Sequence, residues 1–166
     1  MSVSNFTLDS SLHDNWNLWI HKSKNDWTIK GFDNIYNIKT IRDFWNLNNS
    51  WESNGGIHMN QYFLMKNNIH PIWEHPLNKH GGCWSFKIKE SQSQELWDDL
   101  AQYLVSGNLS KDYDEINGIS ITKKKNGWVV LKIWNKSNKK SSLKNINYDI
   151  LKKWGLDVIY ISHLTN

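Results

Sequence analysis

The stretch His70–Trp84, HPIWEHPLNKHGGCW, sets a tryptophan directly before a carboxylate, Trp73-Glu74, in a segment that holds both prolines of the chain. Pro71 and Pro76 rule out a central strand, so this indole and acid belong to a loop. A core needs the indole but not the acid. A second indole, Trp27, lies between Asp26 and Thr28 behind the polar run HKSKND, surroundings that predict exposure on another loop. Two parallel indoles make a slot for a flat π-system. Each face adds attraction if that system is cationic. A carboxylate at the slot's edge only accepts hydrogen bonds, so it selects a base with adjacent N–H donors, as guanine has at N1 and N2. Lys123, Lys124 and Lys125 are consecutive, and KSNKKSSLKN follows in the same half of the chain. The functional reading of this run is a phosphate-facing patch; the bland one is a solvated turn. A positively charged guanine carrying phosphates, 7-methylguanosine triphosphate, satisfies all of these demands. No step makes or breaks a bond, so the residues describe a binding protein rather than an enzyme.

The elements that must hold these loops can be read from periodicity. NWNLWIHK (15–22) alternates with Trp16, Leu18 and Ile20 on one face and Trp19 on the other, a strand that uses both faces. Strands are also predicted at 34–39, 61–66, 83–89 and 157–162. Residues 116–134 read as a hairpin around the Asn126-Gly127 turn signal. Residues 40–51 predict a helix in which Thr40 caps and Asp43 completes a near capping box. Its apolar residues fall on two faces: Ile41 with Trp45, and Phe44 with Leu47. Residues 91–107 form an amphipathic helix, and residues 141–155 a third, capped by Ser142. Helices alternate with strand pairs, which predicts an α+β fold: a curved, mostly antiparallel sheet with three helices on its convex face.

The chain has 166 residues, long enough for one domain with a substantial core. Residues 1–11 lack periodicity and read as a flexible tail, leaving 12–166 as the single domain. The one cysteine, Cys83, excludes an internal disulfide and a cysteine metal cluster. No apolar run reaches the length of a membrane span, and the N-terminus lacks a secretory pattern. These features predict a cytoplasmic monomer with no membrane association, no cofactor and no metal. Arg42 is the single arginine among 20 basic residues. With the abundant asparagine, that bias fits an A/T-rich coding genome such as that of a protist or a large DNA virus. Eleven tryptophans are many for a chain of this length; most must be core, and the rest are free for other roles.

In order and spacing, NWNLW, IRDFW, HPIWE followed by NKHGGCW, ELWDDL, the hairpin ending in KIW and the closing YISH resemble the eukaryotic translation initiation factor 4E family, the cap-binding proteins. The resemblance covers roughly residues 12–163. It implies that Trp27 and Trp73 sandwich the cap guanine, that Glu74 accepts its two N–H donors, and that the Trp73 backbone N–H bonds to O6. Trp134 would line the N7-methyl side. Lys124 falls on a phosphate-binding position, with a one-residue ambiguity to Lys123 or Lys125. His163 matches a histidine near the end of the family's cap-binding region. Ile41 and Trp45 would belong to a dorsal face that takes a helical peptide, from a 4G-like initiation scaffold or a 4E-binding repressor, with Asp99 as an acceptor there. Trp16, Trp19, Trp84 and Trp97 would be structural.

The chain departs from the family at several of these places. Cys83 stands where a basic residue is frequent, and Val130 stands at a second phosphate-binding lysine, with Lys132 on the same strand face as the candidate to compensate. Asp98, Asp99 and Gln102 make the dorsal groove more polar. The implied function is binding of capped mRNA in support of translation initiation. A cap-binding repressor that recruits no scaffold, and an interaction module that has lost the cap, remain alternatives.

Overall fold

The computed structural model describes residues 7–164. A seven-stranded sheet has the order β2-β1-β3-β5-β6-β4-β7, every neighbouring pair antiparallel. Its strands are β1 (Ser11–His21), β2 (Phe32–Thr40), β3 (Gln61–Lys66), β4 (Gly82–Lys89), β5 (Ile116–Lys123), β6 (Trp128–Asn135) and β7 (Val158–Ser162). Three α-helices complete it: α1 (Ile41–Asn48), α2 (Ser93–Val105) and α3 (Tyr148–Trp154).

Strand alternation sorts the side chains onto two faces. Trp16 and Leu18 of β1, Leu64 of β3, Trp84 and Phe86 of β4, Ile119 of β5 and Leu131 of β6 point to one side. There they pack with Phe44 of α1, Leu96, Trp97 and Leu100 of α2, and Ile150 of α3. All three helices therefore cover one face. Trp16, Trp84 and Trp97 are fully buried in this layer, and Trp84 Nε1 donates to the Ser141 carbonyl at 2.9 Å. The intervening residues build a smaller cluster on the opposite face: Phe63, Met65, Cys83 and Trp134, closed by Phe32 and Ile69. Among the described residues no α-helix packs on that cluster.

α1 begins at a complete capping box. Thr40 Oγ1 accepts from the Asp43 N–H at 3.1 Å, and Asp43 Oδ2 accepts from the Thr40 N–H at 3.0 Å. Thr40→Ala is expected to cost about 1 kcal/mol of stability. Urea unfolding of the variant checks this, and an unchanged midpoint would show that the cap carries no net energy.

Two local expectations need correction. The third helix starts at Tyr148, not at residue 141. Ser142 accepts from the Lys144 N–H and so caps a single short turn, while Asn147 accepts from the Asp149 N–H and starts the helix. Polar side chains that bond the local backbone break one apparent helical period into two pieces. Of the expected tail, residues 1–6 lie outside the described residues. Residues 8–11 are tied down: the Leu8 and Ser10 carbonyls accept from the Arg42 and Ile41 N–H groups, Asp9 pairs with Arg42 at 2.8 Å, and Ser11 opens β1. The β5–β6 connection follows the turn signal, with Asn126 at φ 61°, Gly127 at φ 77° and the Trp128 N–H donating to the Lys125 carbonyl.

Candidate functional site

The helix-free face carries a cavity of about 540 Å³. Trp27, Trp73, Glu74 and Trp134 line it, with Lys123, Lys124 and Lys132. Four segments distant in sequence thus deliver the predicted residues to one space: the β1–β2 loop, the β3–β4 loop, the end of β5 and strand β6. Lys125 is the exception among the predicted cations. It sits in the turn beyond β5 and does not line the cavity.

Trp27 is held at the tip of the β1–β2 loop. Asp26 Oδ1 accepts from both the backbone N–H and the hydroxyl of Thr28, at 2.9 and 2.5 Å, which bends the chain around residue 27. The same bonds keep the Asp26 carboxyl below its usual range. A Cβ at Gly31 would lie 1.8 Å from the Asp26 carbonyl oxygen, so the loop closes only over a glycine. His21, from the end of β1, stacks on the indole with centroids 4.0 Å apart and planes at 22°. Trp27 remains 55% exposed.

The Trp73-Glu74 loop is shaped by a residue that the sequence reading passed over. Asn78 is fully buried, and its amide donates to the carbonyls of His70 and Ile72, both at 2.9 Å. Its oxygen accepts from Asn117 Nδ2, also at 2.9 Å, and Asn117 donates as well to the Leu77 carbonyl at 2.7 Å. A side chain on β5 thereby fixes the shape of the loop between β3 and β4. Gly81 ends the loop where a Cβ would stand 1.8 Å from the Asn135 carbonyl oxygen. Both prolines follow trans peptide bonds.

Trp73 is 45% exposed and stacks on His163, centroids 5.0 Å apart and planes at 20°. His163 Nδ1 donates to the Asn78 carbonyl at 2.7 Å. That leaves Nε2 of the neutral ring as an acceptor, 3.3 Å from Cys83 Sγ. Burial pushes the Cys83 thiol up to about 12, so its S–H is the donor. Burial also pushes the His163 imidazole down from its ordinary value. The ring behind Trp73 is thus neutral, and the indole's attraction for a cation stays available to a ligand. Cys83 is buried and does not line the cavity; its thiol meets the histidine that backs an indole.

Trp134 forms the floor of the cavity. It is 2% exposed and donates from Nε1 to Ser120 Oγ at 3.0 Å. Lys123 is shared with Glu90 at 3.3 Å. Among the described residues Lys124 and Lys132 have no acidic partner within 4 Å, so the cavity's lysine side carries uncompensated charge.

Ile41 and Trp45 lie on the other side of the molecule, on α1. Trp45 is 39% exposed and meets Phe44 edge to face. Asp99, expected as an acceptor on the dorsal face, also serves within the fold: its Oδ2 accepts from Lys153 Nζ at 2.8 Å and from Trp154 Nε1 at 2.9 Å. Sequence spacing gives no hint of this, because α3 meets α2 only in the folded chain.

The family model described as eukaryotic initiation factor 4E matches residues 11–163. Eukaryotic translation initiation factor 4E of Eremothecium gossypii is 26% identical over 85% of this chain and 69% of its own length. The eukaryotic translation initiation factor 4E homolog of Acanthamoeba polyphaga mimivirus is 35% identical over 44% of this chain and 29% of its own. Among solved structures, Ascaris suum eIF4E-3 with m7G cap has a TM-score of 0.80 at 21% identity, covering 95% of this chain and 93% of that one. Schistosome eIF4E complexed with m7GpppG and 4E-BP has a TM-score of 0.78 at 23% identity, covering 93% and 88%. The family match runs from the first strand to the histidine behind Trp73, and the fold agrees throughout: the chain belongs to the eukaryotic initiation factor 4E family.

Proposed function

We propose that this protein binds the 7-methylguanosine cap of mRNA and acts in translation initiation in the cytoplasm. The observation that carries the reading is the convergence of Trp27, Trp73, Glu74 and unpaired lysines on one cavity. The methylated guanine enters between the two indoles. Glu74 accepts from N1–H and N2–H₂, the Trp73 N–H donates to O6, and Trp134 bounds the N7-methyl side. Lys123, Lys124 and Lys132 meet the phosphates. The structures of family relatives with m7G and m7GpppG caps support the same ligand class.

Cation–π attraction from two desolvated faces, about 1–2 kcal/mol each, favours the methylated base by about 2–4 kcal/mol. At ~1.4 kcal/mol per tenfold, that is roughly 30- to 700-fold selectivity. Glu74 contributes to the choice of guanine over adenine, not to methyl discrimination. Titrating intrinsic tryptophan fluorescence with 7-methylguanosine triphosphate and with GTP tests the reading. The methylated ligand is expected to quench at far lower concentration, and equal affinities would overturn it.

Ile41 and Trp45 then offer the dorsal face to a helical peptide of a 4G-like scaffold or a 4E-binding repressor. One observation favours a second reading. With Asp99 Oδ2 held by Lys153 and Trp154, the groove offers less to a basic scaffold residue. On that reading the protein sequesters capped mRNA without recruiting the scaffold.

A further inference from the structure

We propose that Lys87 and Trp128 form a second subsite, which holds the RNA nucleotide that follows the cap: Lys87 meets its phosphate and Trp128 stacks its base. The proposal rests on the cap reading above and extends it along the same sheet face.

Strand β6 places Trp128, Val130, Lys132 and Trp134 on alternate positions, and Lys132 and Trp134 line the cap cavity. Trp128 is four residues from Lys132 on that strand, about 13 Å at ~3.3 Å per residue. Val130, between them, cannot contact a phosphate. Its Cα partner on β4 is Lys87, two positions beyond Ser85, which faces Lys132. A cation is thus restored on the same face, one strand over from the valine. Lys87 Nζ lies 4.9 Å from the centroid of the Trp128 ring, and Trp128 keeps 37% of its surface exposed.

The neighbouring surface suits a polyanion. β7 pairs with β4 only as far as Phe86, so residues 87–89 have an open edge. A groove of about 270 Å³ runs there, lined by Lys87, Lys89, Trp128 and Trp154 among others. Among the described residues neither Lys87 nor Lys89 has an acidic partner within 4 Å, whereas Lys153 in the same groove is bound to Glu95 and Asp99. Asp157 is the acid that lines the groove. An indole face beside unpaired lysines, on the same strand as Lys132 of the cap cavity, is the chemistry of a single-stranded nucleic-acid track.

The test compares 7-methylguanosine triphosphate, a short 7-methylguanosine-capped RNA and an acidic peptide as ligands. The wild type is expected to bind the capped RNA about 5- to 150-fold more tightly than the cap nucleotide, the gain of one stacked base. Trp128→Ala should remove that gain while the nucleotide alone binds as before, and Trp128→Phe should restore most of it. Lys87→Ala should weaken the capped RNA and shrink the slope of log affinity against log salt by about 0.7. Cap nucleotide binding without any gain from RNA overturns the subsite alone, as does a Trp128→Ala protein that keeps the full gain. A groove that takes the acidic peptide in preference to RNA also overturns it. A wild type that binds neither capped ligand overturns the cap reading along with it.

Discussion

Trp73→Ala or Glu74→Ala is expected to abolish retention on immobilised 7-methylguanosine triphosphate while leaving the fold intact. Removing the Trp73 ring deletes one stacking and cation–π face, about 1–3 kcal/mol by the usual base–aromatic value. It also opens the slot to water, which weakens the attraction from Trp27. The ring alone is thus worth roughly 5- to 140-fold at ~1.4 kcal/mol per decade, and the weakened Trp27 face adds to the loss. For Glu74→Ala the loss is of charge-assisted hydrogen bonds, which are about twice as strong as neutral ones. Stability should fall only modestly. Trp73 is 45% exposed and its one stacked neighbour is His163, a pair worth about 0.5–1.5 kcal/mol. Fluorescence titration with the cap nucleotide, beside a thermal melt, separates binding from folding. Retention at wild-type levels in both variants would remove Trp73 and Glu74 from the site.

Asn78→Ala is expected to give the largest combined loss, in stability and in cap affinity together. The side chain is fully buried and joins His70, Ile72 and Asn117 through three hydrogen bonds. Truncation leaves buried carbonyls without a donor, and each orphan costs about 1–3 kcal/mol. A total near 3 kcal/mol lowers the melting temperature by roughly 6–12 °C for a domain of this size. The loop that carries Trp73 and Glu74 then loses its template, so cap affinity falls although Asn78 touches no ligand. Asn78→Asp serves as the second variant: it keeps the shape but cannot donate, and so should share the loss. Comparison of melting temperature and cap-nucleotide affinity for both variants checks the argument. An Asn78→Ala protein with unchanged affinity would show that the loop holds its shape by other means.

Much of the molecule is legible in order along the chain. Strand alternation around Trp16 and Trp19 announced a sheet with two occupied faces, and the structure puts Trp16 under the helices and Trp19 on the other side. The Thr40 capping signal and the Asn126-Gly127 turn operate within a few residues, where propensity and local hydrogen bonding decide the outcome. The third helix misled for the same reason: Ser142 and Asn147 both cap, and periodicity alone cannot tell which one begins a helix.

By itself the sequence determined which residue types are adjacent. Trp73 beside Glu74, Trp27 among polar neighbours and the run Lys123–Lys125 are the residue types from which the proposed guanine reader is drawn. The tertiary structure decided what holds and surrounds them. Asn78 and Asn117 meet across 39 positions, and His163 reaches back 80 positions to Cys83. Lys153 takes Asp99 from 54 positions away, and Lys87 faces Val130 only because β4 and β6 are neighbours. A polar side chain has no period to betray it, and its partner is set by which strands pair and which loops return to them. Type and spacing therefore name the candidate residues, while burial and long-range pairing specify what holds them in place.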